Sequence, residues 1–563
     1  MRQWGRFILV TLFFLLLTIG IGAAQTAKWS WLKTAAGDGG GIPYSIAVDK
    51  AGNCYITGYY TGSFLQFDTT TILSKGSYDM FIAKYNRYGK LIWAKGAGGP
   101  GYDWAYSVAV DGKGNSFVTG WFSGPTIFFD TLSLKLTKIG ASDTFIAKYD
   151  LNGNVVWATN FSDSSTDAGF AIAADEGGNC YVTGTYWGVI RLKNGSLVSK
   201  GENDIFLIKF NSDGEALWAK SAGGPDGENG FAVSLDNAGH CFLTGQTLGA
   251  FFGSSITFDS ITVATNRSSF FVASYDEGGN AIWAKTASGD GGDDVGKSIA
   301  ADMYGNCYVT GYFSSDTITF DNVSAIRDDW RDMFAVKYDR DGNAIWARAA
   351  GGGLFDQGGS IAVDDEGSCY LTGLFDSPAI RFDSTLLINQ GSYDLYLTKY
   401  NSNGIVVWAK QVGGTGWDQG MGVATDRMGN VYVTGYSTSP SLDFDSIAFR
   451  TANSADIVLA KMEQSPVETV DVEQQPNNYE LNQNFPNPFN AITTIKFHVP
   501  ISGAVTLDIF DQMGRKVTTL LKEWKFAGTY QVKWEAVNVS SGVYYCRMSS
   551  GLFTRTKKLL YLQ

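Results

Sequence analysis

Six acidic residues recur at one position of an internal repeat and are the best candidates in this chain for binding a ligand. Each stands four residues before the first residue of a segment typified by Ser360–Asp364, or its equivalent. The set is Asp103, Asp167, Glu228, Asp294, Asp356 and Asp418. Clustered carboxylates suit Ca²⁺ and cationic or hydroxyl-rich ligands. The alternative is that each carboxylate accepts hydrogen bonds from its own loop, and recurrence in nearly every repeat favours this structural role.

A second acidic series and several aromatic residues are expected near the same loops. The acidic residues are Asp68, Asp130, Asp259, Asp321, Asp383 and Asp445. Paired carboxylates in a cleft could instead serve a hydrolase or lyase that acts on polysaccharide. Tyr102, Trp104, Phe355 and Trp417 vary from repeat to repeat, as the residues of a ligand site usually do.

The segment Gly291–Ser298 has the spacing of a phosphate-binding loop. That chemistry requires a preceding strand and a following helix whose backbone amides face the phosphate. Here Ser298 opens a strand, and Asp293 and Asp294 would repel a phosphate. The sequence therefore argues against nucleotide binding.

Catalytic motifs are missing from the sequence. Its two histidines, His240 and His498, fall in different expected domains, and neither H-E-x-x-H nor G-x-S-x-G occurs. A Ser-His-Asp triad and a histidine-rich metal site are thus nearly excluded. We predict no catalytic residue, no metal ligand and no cofactor, apart from Ca²⁺ as the cation that the acidic residues would suit.

Three sequence elements, each of which occurs seven times, define a repeat of about 62 residues. The tryptophan of "WAK" recurs as Trp31, Trp93, Trp157, Trp218, Trp283, Trp346 and Trp408. A "TG" element and the aromatic residue of "DxFIAKY" recur in step with it. Each repeat reads as four short strands, which we name a, b, c and d, and D-x-x-G-N turns join a to b and c to d.

Side-chain size favours a β-propeller over a stacked solenoid. The centre of strand a is small in every repeat, whereas strand d carries the tryptophan. Radial blades need small residues near the axis and large ones at the rim, and a linear stack needs no such taper. The first "WAK"-like piece precedes the first strand a, so it can complete the last blade and remove its open edge. We predict a seven-bladed β-propeller over residues 25–462, closed by the N-terminal strand.

The repeats resemble the SBBP-type β-propeller repeat of secreted bacterial proteins, on the pattern "SIAVD", "CYVTG", "DxFIAKY" and "WAK" across about residues 28–462. The tryptophans could be sugar-stacking platforms, but their regular place in strand d favours packing at the rim. This resemblance implies export and a propeller fold, and it does not name a ligand.

Both ends of the chain carry export signals. Arg2 and Arg6 precede an apolar run that ends in small residues at Gly22 and Ala24, which predicts a signal peptide over 1–24. The alternative is an uncleaved membrane anchor. After cleavage we expect no transmembrane segment. A polar, acidic stretch over 463–478 reads as a linker.

Residues 479–563 read as alternating strands that would form a small immunoglobulin-like β-sandwich. The segment resembles the type A C-terminal sorting domain of the type IX secretion system through "NFPNPFN", "IFDQMGRKV", "AGTY", "SGVYYCRM" and "KKLLYL". The resemblance implies passage across an outer membrane, with the type IX machinery as a partner.

The net charge restricts the classes of partner, and the positions of the cysteines predict whether they form disulfides. The net charge is −12, and it becomes −14 without Arg2 and Arg6, which argues against nucleic acid and anionic membranes as partners. Five of the six cysteines occupy one position of strand b, which Ser116 and Val431 fill in the other repeats. Equivalent positions in neighbouring blades lie too far apart for a disulfide, so we predict free buried thiols.

The sequence thus predicts an all-β protein that is secreted or held at the outer-membrane cell surface. We expect it to bind an extracellular polysaccharide, a protein or an envelope component without turning it over. The alternatives are a propeller hydrolase or lyase that uses Asp and Glu residues, and a structural component of a surface layer.

Overall fold

The computed structural model describes residues 27–562, apart from 163–166, 194, 290–291, 427, 446, 451–454, 465–478, 500–502, 526–527, 538 and 551–552. The expected signal peptide and nearly all of the expected linker lie outside the described residues. Every helix or strand described is a β-strand. The chain forms two compact units, Met1–Ser465 and Pro466–Gln563.

The strands of the N-terminal unit follow the repeat. The first is β1 (Ala27–Gly37). Repeat 1 holds β2 (Gly41–Val48), β3 (Cys54–Thr61), β4 (Phe64–Phe67), β5 (Thr70–Leu73), β6 (Tyr78–Tyr85) and β7 (Leu91–Ala97). Repeat 2 holds β8 (Asp103–Val110), β9 (Ser116–Phe122), β10 (Thr126–Phe129), β11 (Leu132–Lys135), β12 (Asp143–Tyr149) and β13 (Val155–Phe161). Repeat 3 holds β14 (Ala168–Ala174), β15 (Cys180–Leu192), β16 (Gly195–Phe210) and β17 (Ala216–Gly223).

The later repeats continue the series. Repeat 4 holds β18 (Glu228–Leu235), β19 (Cys241–Phe258), β20 (Ile261–Tyr275) and β21 (Ala281–Ala287). Repeat 5 holds β22 (Asp294–Ala301), β23 (Cys307–Phe313), β24 (Thr317–Phe320), β25 (Val323–Ile326), β26 (Asp332–Tyr338) and β27 (Ala344–Ala350). Repeat 6 holds β28 (Asp356–Val363), β29 (Cys369–Phe375), β30 (Ala379–Phe382), β31 (Thr385–Ile388), β32 (Asp394–Tyr400) and β33 (Val406–Val412). Repeat 7 holds β34 (Asp418–Thr425), β35 (Val431–Ser437), β36 (Ser441–Phe444), β37 (Ile447–Arg450) and β38 (Asp456–Gln464).

Each repeat forms four antiparallel strands in the order a-b-c-d. The order is β2-β3-β6-β7 in repeat 1, and repeats 2, 5 and 6 follow it in sheets of their own. In repeat 7 the order is β34-β35-β38-β1, so the N-terminal strand takes the fourth place, as expected. Its register runs from Ala27 opposite Gln464 to Ala35 opposite Ile457. The last strand thus extends two residues into the expected linker, because Glu463 and Gln464 pair with β1.

A short hairpin stands between strands b and c in most repeats. Repeats 3 and 4 instead extend strands b and c themselves into long arms, β15–β16 and β19–β20. The second acidic series lies at the hairpin turns, where six aspartates adopt φ between 44° and 54°. Several bind the "WAK" lysine of the preceding strand d, as in Lys95–Asp130 at 2.9 Å and Lys410–Asp445 at 2.7 Å. These aspartates therefore close turns and pair with lysines.

Neighbouring repeats pack through the tryptophan of strand d. The indole Nε1 of Trp93 donates to the carbonyl of Leu151 in the c–d turn of repeat 2, at 3.1 Å. The turn glycine, Gly153 (φ 81°), lies under the indole where a Cβ would meet the ring at 2.7 Å. The remaining tryptophans up to Trp346 make the equivalent bond. One contact repeated along the chain therefore sets the spacing of the repeats.

The core is divided into clusters that successive repeats share. One cluster joins Tyr55, Met80 and Ile82 of repeat 1 to Val118 and Phe145 of repeat 2. Another joins repeat 1 to repeat 7, through buried apolar residues that include Ile46, Cys54, Tyr432, Ile457 and Leu459. The first repeat thus packs against the last.

The C-terminal unit consists of two small sheets. Its strands are β39 (Glu480–Leu481), β40 (Ile492–Val499), β41 (Gly503–Asp511), β42 (Lys516–Lys525), β43 (Gly528–Glu535), β44 (Gly542–Ser550) and β45 (Phe553–Tyr561). One sheet has the order β39-β40-β43 and the other β42-β41-β44-β45. A single core that includes Phe497, Leu507, Trp534 and Met548 joins them.

All six cysteines are buried and free, which confirms the prediction of unpaired thiols. Five occupy the first position of strand b. Among the described residues no helix is long and apolar enough to span a membrane.

Candidate functional site

The six acidic candidates are buried, and each opens strand a of its repeat except Asp167, which immediately precedes β14. Their side chains are at most 2% exposed, and backbone amides or hydroxyls of nearby loops donate to them. The amide of Gly99 donates to Asp103 at 2.7 Å, and that of Gly224 donates to Glu228 at 3.2 Å. The amide of Trp187 donates to Asp167 at 3.0 Å.

In later repeats a serine from the b–c loop completes the same arrangement. Asp294, Asp356 and Asp418 accept from the hydroxyls of Ser315, Ser377 and Ser439. Each candidate thus stabilises loops of the fold by accepting hydrogen bonds from them. A contact from these carboxylates to a ligand stays a prediction.

Burial raises the pKa of most of these carboxyl groups. It raises the pKa of Asp103 to about 7 and that of Glu228 to about 8, against a smaller lowering by the amide that each accepts from. It raises the pKa of Asp294 and of Asp356 to about 6. Desolvation disfavours the charged form, so these groups hold protons at a higher pH than exposed carboxyls do.

A second buried acidic row, absent from the sequence-based predictions, lies at or next to the start of strand c, except in repeat 3, where Asp204 lies within β16. It consists of Asp79, Asp143, Asp204, Asp332, Asp394 and Asp456, each at most 1% exposed. The charge of Asp79 adds to the raised pKa of Asp103, and that of Asp332 adds to the raised pKa of Asp356. Their signal in the sequence was the first residue of "DxFIAKY". Among the described residues, no group of three or more His, Cys, Asp or Glu side chains could hold a metal ion.

Aromatic side chains line the same ends of the strands and differ between repeats. The residue just before the serine of strand a, or its equivalent, forms what we name the strand-a row. In chain order this row is Tyr44, Tyr106, Phe170, Phe231, Lys297, Gly359 and Met421. The ring centroids of its first four members follow one another at 4.9, 5.4 and 5.6 Å. The row is therefore an arc of four aromatic rings across four repeats.

A second aromatic group stands where repeats 1 and 2 meet. The indole of Trp104 stacks on Tyr59 at 4.6 Å with planes 14° apart, and it contacts Trp121 at 5.4 Å. Tyr102, 48% exposed, packs on Tyr78 at 5.1 Å. Trp104 also contacts Tyr106 at 6.0 Å, which makes this group continuous with the strand-a row.

A cavity of about 270 Å³ lies where repeats 6 and 7 meet. It is lined by Phe355, Gln357, Leu374, Tyr393, Trp417, Gln419 and Tyr436. Trp417 is 53% exposed and stands edge-on to Tyr393 at 5.4 Å. Flat rings beside two amides suit a ligand that has apolar faces and hydroxyl groups. We name the strand-a row, the Trp104 group and this cavity together the aromatic face.

Another cavity, of about 710 Å³, lies at the other end of the strands among the a–b turns. Its aspartates already serve the turns, as Asp49 does by accepting from the amides of Ala51 and Asn53. Lys50 of repeat 1 and Glu176 of repeat 3 form an ion pair beside it. The same hydrogen bonds from turn amides to an aspartate recur around this cavity, whereas the residues of the aromatic face differ between repeats.

Comparison with known families identifies two parts of the chain. Residues 92–121 and 407–441 match the β-propeller repeat, and residues 483–561 match the secretion system C-terminal sorting domain. The chain therefore carries SBBP β-propeller repeats and a type IX sorting domain, as the sequence predicted. The sorting domain places the protein among those that are secreted and held at the cell surface or outer membrane.

Two curated relatives share part of the sequence. An uncharacterised WD repeat-containing protein of Acanthamoeba polyphaga mimivirus is 28% identical over 447 residues, which are 63% of this chain and 31% of that protein. The regulatory protein FlaEY of Caulobacter vibrioides is 22% identical over 256 residues, 43% of this chain and 26% of that protein. The chain thus spans at most about a third of the length of these relatives.

Solved structures resemble the chain only weakly. A fungal alcohol oxidase of the AA5 family, solved with copper, is 10% identical, with a TM-score of 0.36 over 95% of this chain and 99% of that one. At this score the likeness carries no argument about the chemistry of the chain.

Proposed function

We propose that this protein is an exported binding protein without catalytic activity, whose seven repeats close into a seven-bladed β-propeller. The C-terminal unit would be an immunoglobulin-like β-sandwich that serves export. Closure is supported by the place of β1 in the sheet of repeat 7 and by the packing of β2 against β34 and β35. The ring would bring the seven strand-a positions around one axis.

The ligand would bind at the aromatic face. One observation carries this assignment: positions that serve the fold repeat from one repeat to the next, whereas the strand-a row changes from tyrosine to phenylalanine, lysine, glycine and methionine. Exposed aromatic groups with neighbouring amides mark ligand and protein interfaces. Among an extracellular polysaccharide, a protein and an envelope component, we favour the polysaccharide, because sugar rings stack on aromatic side chains and their hydroxyls bind amides.

A hydrolase or lyase would need carboxylates within reach of its substrate. The twelve residues of the two buried acidic rows are at most 2% exposed, and those whose hydrogen bonds are described accept from loop amides and hydroxyls, as Asp103 does from Gly99 and Asp332 does from Asp328. Where the pKa of such a residue is raised, as for Asp103 and Glu228, burial within the fold is the main cause. For this reason we propose binding without turnover.

A glycan array with the mature chain, residues 25–563, tests the proposal. We expect retention of one class of polysaccharide without release of products. Trp104→Ala and Trp417→Ala should each weaken binding about tenfold or more, since loss of one stacking side chain at an interface costs about 1–3 kcal/mol. Tyr88→Ala is the matched control, because Tyr88 is 77% exposed in a c–d turn away from the aromatic face.

Adding a chelator to the same array tests whether binding depends on Ca²⁺. Loss of retention with chelator would assign the metal to the binding site. Release of shortened products from any glycan would overturn the non-catalytic proposal, and equal binding by the Tyr88 and Trp104 variants would overturn the placement of the site.

A further inference from the structure

We infer that the aromatic face selects an acidic sugar, whose carboxylate is bound by Lys297 and Arg331 while its ring lies on the neighbouring aromatic side chains. This inference rests on the proposed binding function and names the class of ligand. The sequence motif around Lys297, which lacks the structure of a phosphate-binding loop, thereby acquires a role.

Lys297 is the one charged member of the strand-a row. Its Nζ lies 4.6 Å from the centroid of Phe231 and 5.9 Å from that of Tyr312. Among the described residues, no carboxylate lies within 4 Å of this nitrogen. The ammonium is thus held by aromatic faces, which attract a cation but do not neutralise its charge.

Arg331 brings a second positive charge to the same place. Its Cζ lies 4.3 Å from the centroid of Tyr312 and 4.7 Å from that of Phe355. Its Nε is buried and has no hydrogen-bond partner among the described residues. Its ion-pair partner among the described residues, Asp293, is 3.9 Å from a terminal nitrogen and has a side chain that is 57% exposed.

Two cations beside one phenol ring repel each other and lose hydration. Burial lowers the pKa of Lys297, and the charge of Arg331 lowers it further. A bound carboxylate would offset both effects, because it supplies a charge-assisted hydrogen bond to each cation. The protein as a whole is acidic, so this pair is a local reversal of charge that favours an anionic ligand.

The surroundings suit a sugar ring better than a bare anion. Phe231 lies under Lys297 and continues to Phe170 at 5.6 Å, which provides flat apolar surface next to the ammonium. Gly359 follows Lys297 in the row and places no side chain there. A uronic acid has this combination, with its carboxylate attached directly to a ring that can stack.

Binding of polygalacturonate, neutral galactan and inorganic phosphate to the mature chain tests the inference. We expect polygalacturonate to bind about tenfold more tightly than galactan, because its carboxylates add charge-assisted hydrogen bonds to the two cations. Lys297→Met, which installs the residue that repeat 7 has at this position, should remove that preference, and Arg331→Gln should reduce it. Asp293→Asn should strengthen polygalacturonate binding, because it removes the competing carboxylate.

Lys285→Met is the matched control. Lys285 lies on strand d and pairs with Asp321 of a hairpin turn, so its substitution should leave binding unchanged. Equal binding of galactan and polygalacturonate, unaffected by Lys297→Met but lost in Trp104→Ala, would overturn the acidic sugar and keep the proposed function. Phosphate that competes as strongly as the polymer would also overturn it. Failure of all glycans to bind would overturn both proposals.

Discussion

At the residue scale, the acidic and the aromatic side chains at these strand ends differ in exposure and in role. The acidic residues at or near the starts of strands a and c are buried and hold loops, whereas the aromatic residues beside them are partly exposed and differ between repeats. The sequence showed the acidic positions clearly. Their burial could not be predicted, because donors such as Ser315 come from a loop 21 residues away in the sequence.

The buried carboxyl groups make the stability depend on pH. The pKa of Asp103 is raised from its usual 3.8 to about 7, so the folded state binds more protons than the unfolded state between about pH 4 and 7. Its contribution to stability is therefore full below pH 4 and is lost as the pH rises through 7. Asp103→Asn should reduce this loss and stabilise the protein at pH 8 by about 1–3 kcal/mol.

Guanidinium unfolding at pH 5, 6, 7 and 8 measures this effect. Asp150→Asn is the control, because Asp150 lies in a c–d turn and its pKa is lowered by hydrogen bonds from Asn154 and Asn152 against a partial desolvation. A stability difference between Asp103→Asn and the wild type that does not grow with pH would contradict the assignment.

At the element scale, most of the secondary structure of the N-terminal unit could be predicted from the repeat. The four strands, their turns and the tryptophan of strand d all recur where the spacing placed them, because each is determined by contacts within a repeat or with the next one. The long arms of repeats 3 and 4 were not predicted, because Asp259 of repeat 4 marks the same hairpin turn as in the other repeats and does not show that strands b and c continue into it. The neighbours of Lys297 could not be predicted either, because Arg331 lies in the loop before β26, far from Lys297 in the sequence.

The strand β1 should be essential to the N-terminal unit. A mature chain that begins at Asp38 would leave β38 as an open edge and remove Trp29, which is 3% exposed and contacts Phe444 at 5.0 Å. We expect this variant to aggregate. Trp29→Ala alone should cost about 3–5 kcal/mol, as for other large buried side chains.

Size-exclusion chromatography and guanidinium unfolding report these two effects. Trp187→Ala is the control for the point variant, since Trp187 is 52% exposed and its loss should cost little. A monomeric chain without β1 that unfolds at the wild-type guanidinium concentration would show that this strand does not complete the fold.

At the scale of the whole molecule, the chain joins a repeat unit to a sorting domain that directs it out of the cell. The repeats make a scaffold in which seven equivalent places accept different side chains. Composition and motifs predicted this organisation and the export, because both rest on local sequence. The ligand was not predictable in the same way, since the aromatic face is assembled from residues of several repeats that are distant in the sequence.

Hydrogen–deuterium exchange of the mature chain, with and without the polysaccharide that the array selects, tests the central claim most directly. We expect slower exchange at the aromatic face, in the first halves of the strands a and in the loops that carry Tyr102 and Trp417. The a–b turns around Asp49 and Asp111 should exchange as before. Protection confined to those turns, or spread equally over all seven repeats, would contradict the account.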